Sequence, residues 1–337
     1  MTITPVLDTV STRSVSHMRD LIQPHLLRTP LLRSKRTGPA DTYLKCENLQ
    51  ITDSFKVRGA FSALLGYRGF QPEVWERIVR DGVVTCSSGN FAQGLAHVTA
   101  ELGIPYSVVV PESITAAKRS QIIRYNPDAR ITEVPYPVWQ RTMVTSDFPQ
   151  LPGFFLSSET DPYVSLGLAT VGLEVLEDLP TVDAVLVPYG GGNLAYSIAS
   201  LLREAGSQAS VYAVEISTGA PLTASLRAGR PVGVPYTPSF VDGIGAGFVI
   251  PAQFERIQDR LAGTFTVTPQ EVAAALSSLA FTDKIISEGA GAAAYAAVLK
   301  HEAAHGWKRP CAIVSGAVID PDVLLQTMTG TRSAVGA

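Results

Sequence analysis

Residues 184–204 read AVLVPYGGGNLAYSIASLLRE, and this stretch decides the fold. The short apolar run Ala184–Val187, rich in β-branched residues, predicts a buried strand, and the apolar spacing in Leu194–Glu204 predicts a helix. Three consecutive glycines, Gly190–Gly192, lie between them. Backbone N–H groups in such a loop, followed by the N-terminus of a helix, can surround an anion. The stretch therefore predicts a strand, an anion-binding loop and a helix in succession.

The same alternation of strand and helix continues on both sides of this stretch. Apolar strand-like runs occur at Val83–Thr85, Tyr106–Val110, Val211–Val214 and Cys311–Val314. Helical patterns occur at Asn90–Leu102, Ala116–Tyr125, Val164–Glu177 and Glu271–Phe281. The last helix has a strong start signal, because Thr268 and Glu271 have the spacing of a capping box and Pro269 suits the first turn. The alternation predicts an α/β fold with parallel-rich sheets flanked by helices.

Length and composition limit the class of protein. The chain has 337 residues, which at about 150 residues per domain suggests two domains. Its net charge of −3 argues against a nucleic-acid partner. The longest nearly apolar stretch, Gly289–Leu299, is much shorter than the ~18 residues of a membrane span, and no secretory signal is visible. The three cysteines are odd in number and lack metal-like spacing, so we expect reduced thiols. Together these features predict a cytoplasmic protein without a membrane partner.

Two motifs resemble other functional signatures but fit structural roles better. His301-Glu302-Ala303-Ala304-His305 has the spacing of a zinc-protease motif, yet Gly306 ends the helix and no glutamate follows as a third ligand. The stretch Gly289–Ala294 fits the fingerprint of an NAD-dependent oxidoreductase, but the next strand ends in Ser315 and not in an acidic residue. We therefore predict that the histidine motif binds no metal. We also predict that the small residues of Gly289–Ala294 let a helix pack closely on a sheet.

Three further loops carry groups that suit one cofactor. Lys56 lies near the start of a predicted helix, where the helix dipole disfavours the ammonium form and so favours Schiff-base chemistry. The loop Ser87–Asn90 lies between a predicted strand and a helix and has the size of a carboxylate site. Ser315 supplies a hydroxyl at the end of the last predicted strand. Taken singly, each of these features also has an ordinary structural interpretation.

The glycine loop supplies a phosphate site, which the other three loops lack. It contains no lysine, so it suits a monophosphate better than a nucleoside triphosphate. Together the four loops offer an amine, a carboxylate site, a phosphate site and a hydroxyl. A cofactor with an aldehyde, a phosphate and a ring nitrogen would engage all of them, and this description fits pyridoxal 5′-phosphate.

These motifs resemble those of a known family. The stretch Ser54–Ala60, the loops Ser87–Asn90 and Gly190–Leu194, and the pair Ser315-Gly316 are similar to fold-type II pyridoxal-phosphate enzymes, which have the tryptophan synthase β-like fold. The group that they resemble most is the serine/threonine dehydratases and serine racemases, from about Thr29 to Asp320. The resemblance implies a discontinuous large cofactor-binding domain of residues 1–64 and 157–337, a small substrate-closing domain of residues 65–156, and a homodimer.

The resemblance also implies which residues bind the cofactor. Lys56 would bond its aldehyde carbon, Phe55 would pack on the pyridine ring, Asn90 would bond the phenolic oxygen and Ser315 would face the ring nitrogen. The phosphate would be held by the backbone N–H groups of Gly190, Gly191, Gly192, Asn193 and Leu194. A hydroxyl beside the ring nitrogen, unlike a carboxylate, need not keep that nitrogen protonated, which suits loss of a β-substituent more than transamination.

The substrate residues follow from the same resemblance. Ser87, Ser88 and Gly89, with Asn90 and Phe91, would bind the amino-acid substrate, chiefly through its carboxylate. Lys56 would move the proton at Cα, and Ser88 matches the hydroxyl that racemases of this family use as the acid or base on the opposite face. Phe91 stands where dehydratases commonly have His, so we expect its apolar ring near the rim of the site and a substrate other than plain serine or threonine.

The implied reaction is a β-elimination by a pyridoxal-phosphate-dependent lyase. A β-hydroxy or otherwise β-substituted amino acid would give a 2-oxo acid and ammonia through an aminoacrylate. Racemisation and β-replacement use the same residues and stay open, as do an NAD-dependent oxidoreductase and a non-catalytic cofactor-binding protein. Racemase relatives bind a divalent metal through a residue matching Glu215, but Pro221 stands where a second carboxylate would be expected, so we predict no metal.

Overall fold

A computed structural model of the protein describes residues 10–330, which form two compact units. The first unit comprises the residues up to Leu26 together with Lys56–Thr170, and the second comprises Leu27–Phe55 together with the residues from Val171 onward. Each unit contains one sheet. The chain therefore passes from the second unit into the first at the peptide bond between Phe55 and Lys56.

The sheet of the first unit has four strands, and all its pairs are parallel. Their spatial order is Arg130–Val134, Tyr106–Pro111, Val83–Cys86 and Phe154–Phe155. The helices that begin in this unit are Thr12–Ile22, Lys56–Phe70, Pro72–Asp81, Asn90–Leu102, Ala116–Tyr125, Tyr136–Thr145 and Pro162–Asp178. The 3₁₀ turn Gln23–His25 follows the first of them.

The sheet of the second unit has six strands, and only its first pair is antiparallel. Their spatial order is Leu31–Arg33, Tyr43–Lys45, Pro310–Ile313, Ala184–Pro188, Ser210–Ile216 and Gly263–Val267. The α-helices of this unit are Asn193–Glu204, Pro221–Ala228, Pro251–Ile257, Pro269–Ser278, Gly289–His305 and Pro321–Met328. The 3₁₀ turn Glu47–Leu49 and the π-helix Leu279–Asp283 complete it.

The predicted α/β fold and its main elements are confirmed. All five predicted strands are present, with bounds that differ from the predicted ones by one to three residues, and Asn90–Leu102 and Ala116–Tyr125 have the predicted bounds. The capping box is also present, since Glu271 N donates to Thr268 Oγ1 at 3.2 Å and Thr268 N donates to Glu271 Oε2 at 2.8 Å. The sequence did not predict the strands that are short or partly exposed, namely Leu31–Arg33, Tyr43–Lys45, Arg130–Val134, Phe154–Phe155 and Gly263–Val267.

The division into two units differs from the predicted domain boundaries. The first unit includes the whole helix Lys56–Phe70, of which the predicted boundaries assign residues 56–64 to the large domain. It also includes residues 157–170, all of which the predicted boundaries assign to the large domain. The reason lies in close packing, because a Cβ at Gly167 would overlap the backbone of Arg58 and the side chain of Ser62. Which residues move together when a substrate is bound is a separate matter, for which residues 65–156 stay our prediction.

The small residues of Gly289–Ala294 serve helix packing, as we predicted. They begin the helix Gly289–His305, and residues 289–298 of this helix are all buried. A Cβ at Gly291 would overlap Ser287 Oγ and the carbonyl oxygen of Gly316, and one at Gly289 would lie 3.0 Å from Cα of Val241. Only glycine lets this helix approach the turn after the last strand so closely.

The two histidines of the zinc-like motif pack against aromatic rings. The His301 ring stacks on Phe265 with a centroid distance of 4.4 Å, and the His305 ring stacks on Trp307 at 4.6 Å. Gly306 ends the helix in the left-handed conformation at φ 65°. In residues 10–330, no group of three or more His, Cys, Asp and Glu side chains is arranged to hold a metal ion. No helix in this range has both the length and the apolar character needed to cross a membrane.

We predict that the cysteines are unreactive in the folded protein. Cys46, Cys86 and Cys311 are buried free thiols, and burial raises the pKa of Cys46 and of Cys311 to about 12. At pH 8 we expect dithionitrobenzoate to label them roughly a thousandfold more slowly than an exposed thiol. Labelling in guanidinium chloride is the control and should detect all three cysteines of the chain. Stoichiometric labelling of the native protein within minutes would contradict the burial.

Candidate active site

The segment before Lys56 is fixed to the end of the last strand by a short antiparallel bridge. Phe55 N donates to the carbonyl oxygen of Ser315 at 3.2 Å, and Ala317 N donates to that of Asp53 at 2.8 Å. Ser54 and Gly316 face each other as an isolated bridge pair. Asp53 turns the chain in the left-handed region at φ 56°, a conformation that Asp tolerates better than most residues. The bridge therefore fixes the position of Phe55, to which Lys56 is bonded.

The Lys56 amine lies between a carboxylate and an aromatic ring of its own unit. Its Nζ donates to Oε1 of Glu159 at 3.2 Å and lies 6.0 Å from the centroid of the Phe91 ring. The Lys56 side chain is 19% exposed, whereas that of Glu159 is 6% exposed. The Lys56 side chain is thus partly exposed, and its surroundings include an anionic group and an apolar face.

Sequence reasoning missed Glu159, although a signal for it exists. Glu159 follows the strand Phe154–Phe155 at the carboxyl end of a parallel sheet, the edge at which ligands bind in open α/β folds. A two-residue strand has no periodic pattern that predicts it. Because this strand was not predicted, the polar stretch Ser157–Asp161 was not examined as a loop after a strand.

The loop Ser87–Asn90 begins where the strand Val83–Cys86 ends. Ser87 N continues the strand pairing by donating to the carbonyl oxygen of Val109 at 3.2 Å, and Gly89 N donates to Ser87 Oγ at 3.4 Å. The N-cap residue of the helix Asn90–Leu102 is Gly89, which has no side chain to cap the helix. Backbone N–H groups in the first turn of a helix can bind an anion. The loop therefore has the donors that a carboxylate site needs.

Close packing of two helices brings this loop and Lys56 together within the first unit. A Cβ at Gly94 would lie 3.1 Å from both N and Cα of Val57, so the helix Asn90–Leu102 contacts the backbone of the first turn of Lys56–Phe70. Gly94 is about one turn from Asn90. The predicted neighbourhood of Lys56 and the Ser87–Asn90 loop thus follows from one glycine contact.

Phe91 differs from our expectation of a ring near the rim of the site. It is 1% exposed and belongs to the core of the first unit. The first helical turn directs this side chain inward, where burial of its apolar area stabilises the fold, and not outward to a rim. The ring still lies near the amine and bounds it from the core side.

The glycine loop of the second unit has the predicted strand–loop–helix geometry. It links the strand Ala184–Pro188 to the helix Asn193–Glu204, whose N-cap residue is Gly192. Gly192 lies at φ 98°, and a Cβ there would come within 2.6 Å of the Tyr189 ring. Asn193 is the first residue of the helix, and its Oδ1 accepts a hydrogen bond from Ser197 Oγ at 3.3 Å. The backbone donors of this turn therefore lie at a helix N-terminus, where an anion can bind.

Ser315 lies at the turn after the strand Pro310–Ile313 and is 3% exposed. Its neighbour Gly316 accepts a hydrogen bond from Ser287 Oγ at 3.0 Å and one from Glu288 N at 3.0 Å. The turn is thus held from two sides, by the residues before Gly289–His305 and by the segment Asp53–Phe55.

The predicted site residues fall into two sets. Within the first unit, the structure groups Lys56 with Phe91 directly and with the loop Ser87–Asn90 through the contact of their helices. Within the second unit, it groups Phe55 with Ser315. The second unit also contains Gly190–Leu194. The peptide bond from Phe55 to Lys56 connects the two sets along the chain.

These groups fit pyridoxal phosphate by their donor chemistry. A partly exposed lysine, a glycine turn too narrow for a Cβ at Gly192, a helix start with glycine as its N-cap residue and a buried serine suit an aldehyde, a phosphate and a ring nitrogen. The family comparison agrees with this fit, since the model described as pyridoxal-phosphate dependent enzyme matches residues 22–316. The chain belongs to this family. The predicted family and cofactor are thereby confirmed.

Relatives of this pyridoxal-phosphate enzyme narrow its class. It is 33% identical over 304 residues to the L-threonine ammonia-lyase of Geobacter sulfurreducens, covering 89% of this chain and 74% of the relative. The structure of maize serine racemase superimposes with a TM-score of 0.80 at 26% identity, covering 95% of this chain and 97% of the racemase. The structure of a T.th. threonine deaminase superimposes with a TM-score of 0.80 at 28% identity, covering 92% of this chain and 99% of the deaminase.

The comparisons identify the general class of this enzyme. A pyridoxal-phosphate-dependent lyase of the serine/threonine dehydratase and serine racemase type is confirmed, as is the fold of that group. The dinucleotide-like motif of residues 289–294 therefore does not indicate an oxidoreductase. Its glycines serve the close helix packing described above.

Glu215 of this enzyme caps a helix. Its Oε1 accepts from Leu222 N at 2.7 Å, and its Oε2 accepts from Thr223 N at 2.7 Å and Thr223 Oγ1 at 2.6 Å. These donors belong to the first turn of Pro221–Ala228, which has no side-chain cap from its own N-cap residue. Burial raises the pKa of Glu215, and the three hydrogen bonds oppose that rise. The carboxylate is thus engaged by protein donors on both oxygens.

We predict that Glu215→Gln destabilises the fold. The amide NH₂ cannot accept from the backbone donors that now face a carboxylate oxygen, so a buried donor loses its partner. We expect a loss of about 1–3 kcal/mol in the free energy of unfolding, measured by urea denaturation. Glu204→Gln, an exposed position of the same unit, is the matched control and should change it by less than about 0.5 kcal/mol. Equal stability of both variants would show that the cap does not stabilise the helix.

Proposed function

We propose that this enzyme removes the β-hydroxyl group of L-threonine or L-serine, or the β-substituent of a related amino acid. The products are a 2-oxo acid and ammonia. The observation that carries the proposal is the backbone bridge that fixes Phe55 against Ser315 and so positions the Lys56 amine at a helix start. The likeness to the L-threonine ammonia-lyase of Geobacter sulfurreducens supports threonine as one substrate.

We propose the predicted residues as the cofactor site. Lys56 would bond the aldehyde carbon of pyridoxal phosphate, Phe55 would pack on the ring, Asn90 would bond the phenolic oxygen and Ser315 would face the ring nitrogen. The phosphate would be held by the backbone N–H groups of Gly190, Gly191, Gly192, Asn193 and Leu194. The bound cofactor withdraws electrons from the substrate Cα, so that its proton becomes acidic and a β-substituent can leave.

The protein groups then have distinct tasks. Backbone and hydroxyl donors of Ser87, Ser88 and Gly89, at the start of the helix Asn90–Leu102, bind the substrate carboxylate and orient Cα. Lys56 Nζ takes the proton from Cα on its own side. The buried ring of Phe91 keeps water from the amine on the core side and lies next to the substrate-binding loop.

The structure changes our expectation about the substrate. The argument against plain serine and threonine depended on a Phe91 ring at the rim of the site, and this ring is buried. The proposal therefore includes serine and threonine. Racemisation stays a second candidate because the Ser88 hydroxyl is present and because maize serine racemase has a similar structure.

We also propose that the enzyme acts as a cytoplasmic homodimer on a small-molecule substrate, without a nucleic-acid partner or a bound metal. Several apolar side chains of the second unit are strongly exposed, among them Leu49 at 48%, Phe281 at 65% and Ile286 at 50%. Asn48 Nδ2 donates to the carbonyl oxygen of Ile286 at 2.9 Å, which brings the segments of Leu49 and Ile286 together. Exposed apolar side chains on neighbouring segments suit contact with a second copy of the chain.

We predict that Lys56 carries the cofactor covalently. Borohydride reduction of the purified enzyme should fix the pyridoxyl group on Lys56 alone, as shown by mass spectrometry of its peptides. Lys56→Ala should abolish covalent capture, and its elimination rate should fall by at least about 10³-fold. The variant should still bind free cofactor through the glycine loop, which separates loss of chemistry from loss of folding. Labelling of another lysine would contradict the assignment.

We predict elimination as the main reaction. Incubation with L-serine, L-threonine and larger β-hydroxy amino acids should release 2-oxo acid and ammonia in equal amounts, with the same rates in the presence of EDTA. Chiral analysis of the remaining amino acid measures racemisation in the same samples. Faster appearance of the D-enantiomer than of 2-oxo acid would make racemisation the main activity. A rate that EDTA removes and Mg²⁺ restores would contradict the metal-free site.

A further inference from the structure

A buried carboxylate, Glu159, lies beside the reactive amine and has no role in the function proposed so far. Its Oε1 accepts from Lys56 Nζ at 3.2 Å and from Ser158 Oγ at 2.9 Å. Its side chain is 6% exposed. A buried carboxylate needs hydrogen-bond donors that offset the cost of its burial, and Lys56 and Ser158 supply two of them.

The turn that carries Glu159 is held at both of its ends. Ser157 Oγ accepts from the backbone N–H groups of Glu159 and Thr160 at 3.4 and 3.3 Å. On the other side, Asp161 Oδ1 accepts from Val164 N at 3.0 Å, and Asp161 Oδ2 accepts from Tyr67 OH at 2.6 Å. The carboxylate of Glu159 is therefore fixed relative to Lys56.

The distance to Lys56 limits how far Glu159 can be from a substrate. Nζ must come within about 3.5 Å of the reacting carbon in order to move its proton. Since Oε1 lies 3.2 Å from Nζ, that carbon lies within about 7 Å of the carboxylate. A charged β-substituent is only a few bonds further away, within about 10 Å. At an effective dielectric constant of about 20, a unit charge at that range changes binding by roughly tenfold or more.

We propose that Glu159 sets the charge class of the substrate. It disfavours amino acids whose β-substituent is anionic and favours those in which the β-substituent is neutral, a hydrogen-bond donor or cationic. The proposal depends on the proposed function for the location of the substrate, but it is tested by preference among substrates and not by the reaction itself. A carboxylate that only held Lys56 in place would affect every substrate to the same extent.

The test compares three amino acids of different charge on the holoenzyme. The probes are L-serine, L-threo-3-hydroxyaspartate and L-2,3-diaminopropionate, and the readouts are kcat/KM and the dissociation constant from the absorbance change of the bound cofactor. In Glu159→Gln we expect the preference for 3-hydroxyaspartate over serine to rise at least about tenfold, and that for diaminopropionate over serine to fall by a similar factor. Glu159→Asp, which keeps the charge, should stay within about threefold of the wild type in both preferences.

The matched control is Glu133→Gln, which removes the same charge from an exposed position of the same unit, where Glu133 pairs with Arg119 at 3.4 Å. It should leave both preferences unchanged within about twofold.

Equal changes for all three probes in Glu159→Gln would overturn the proposal and leave Glu159 as a support of Lys56. An enzyme that turns over none of the probes would refute the proposed function, and the dissociation constants would still report the charge preference. If Glu159→Gln does not fold, tighter binding of 3-hydroxyaspartate than of diaminopropionate to the wild type would overturn the proposal.

Discussion

The backbone bridge between Asp53–Phe55 and Ser315–Ala317 is the constraint on which the candidate site depends. It joins segments that are far apart in the sequence and ends one residue before the reactive lysine. Backbone hydrogen bonds suit this task because they fix position without depending on side-chain rotamers. The Lys56 side chain is therefore not needed to anchor this segment and can react. A lysine on an unanchored loop would have to be ordered at an entropic cost each time a substrate binds.

Several glycines act as contact points that set the distances between elements. Gly94 lets one helix contact the backbone at the start of Lys56–Phe70, and Gly291 lets another approach the Ser315-Gly316 turn. Gly192 provides the positive φ of the phosphate-type loop. In each case a methyl group would force apart two elements that carry site residues. Packing density in a protein interior leaves little room for such a displacement to be absorbed locally.

The buried acids of this enzyme have different hydrogen-bond partners, and these partners distinguish acids that stabilise the fold from one that lies at the candidate site. Glu174 pairs with the buried amine of Lys45, and Glu215 accepts from the first turn of a helix. The side chains of Lys45, Glu174 and Glu215 are almost fully buried, whereas in the pair of Lys56 and Glu159 the lysine side chain is 19% exposed. A buried ion pair closed on all sides fixes a fold, whereas one with an accessible member can respond to what binds there.

The sequence by itself determined the fold class, the long strands and helices, the capping box at Thr268 and the loops around Lys56 and Gly190–Leu194. These features depend on local periodicity, backbone preferences and motifs that neighbouring residues complete. Only the tertiary structure decided that Phe91 is buried and that Glu159, 103 residues beyond Lys56, reaches its amine. The two-residue strand before Glu159 exists because it pairs with Val83 and Val84, not because its own residues require it. Contacts between distant segments are set by packing, which no local pattern encodes.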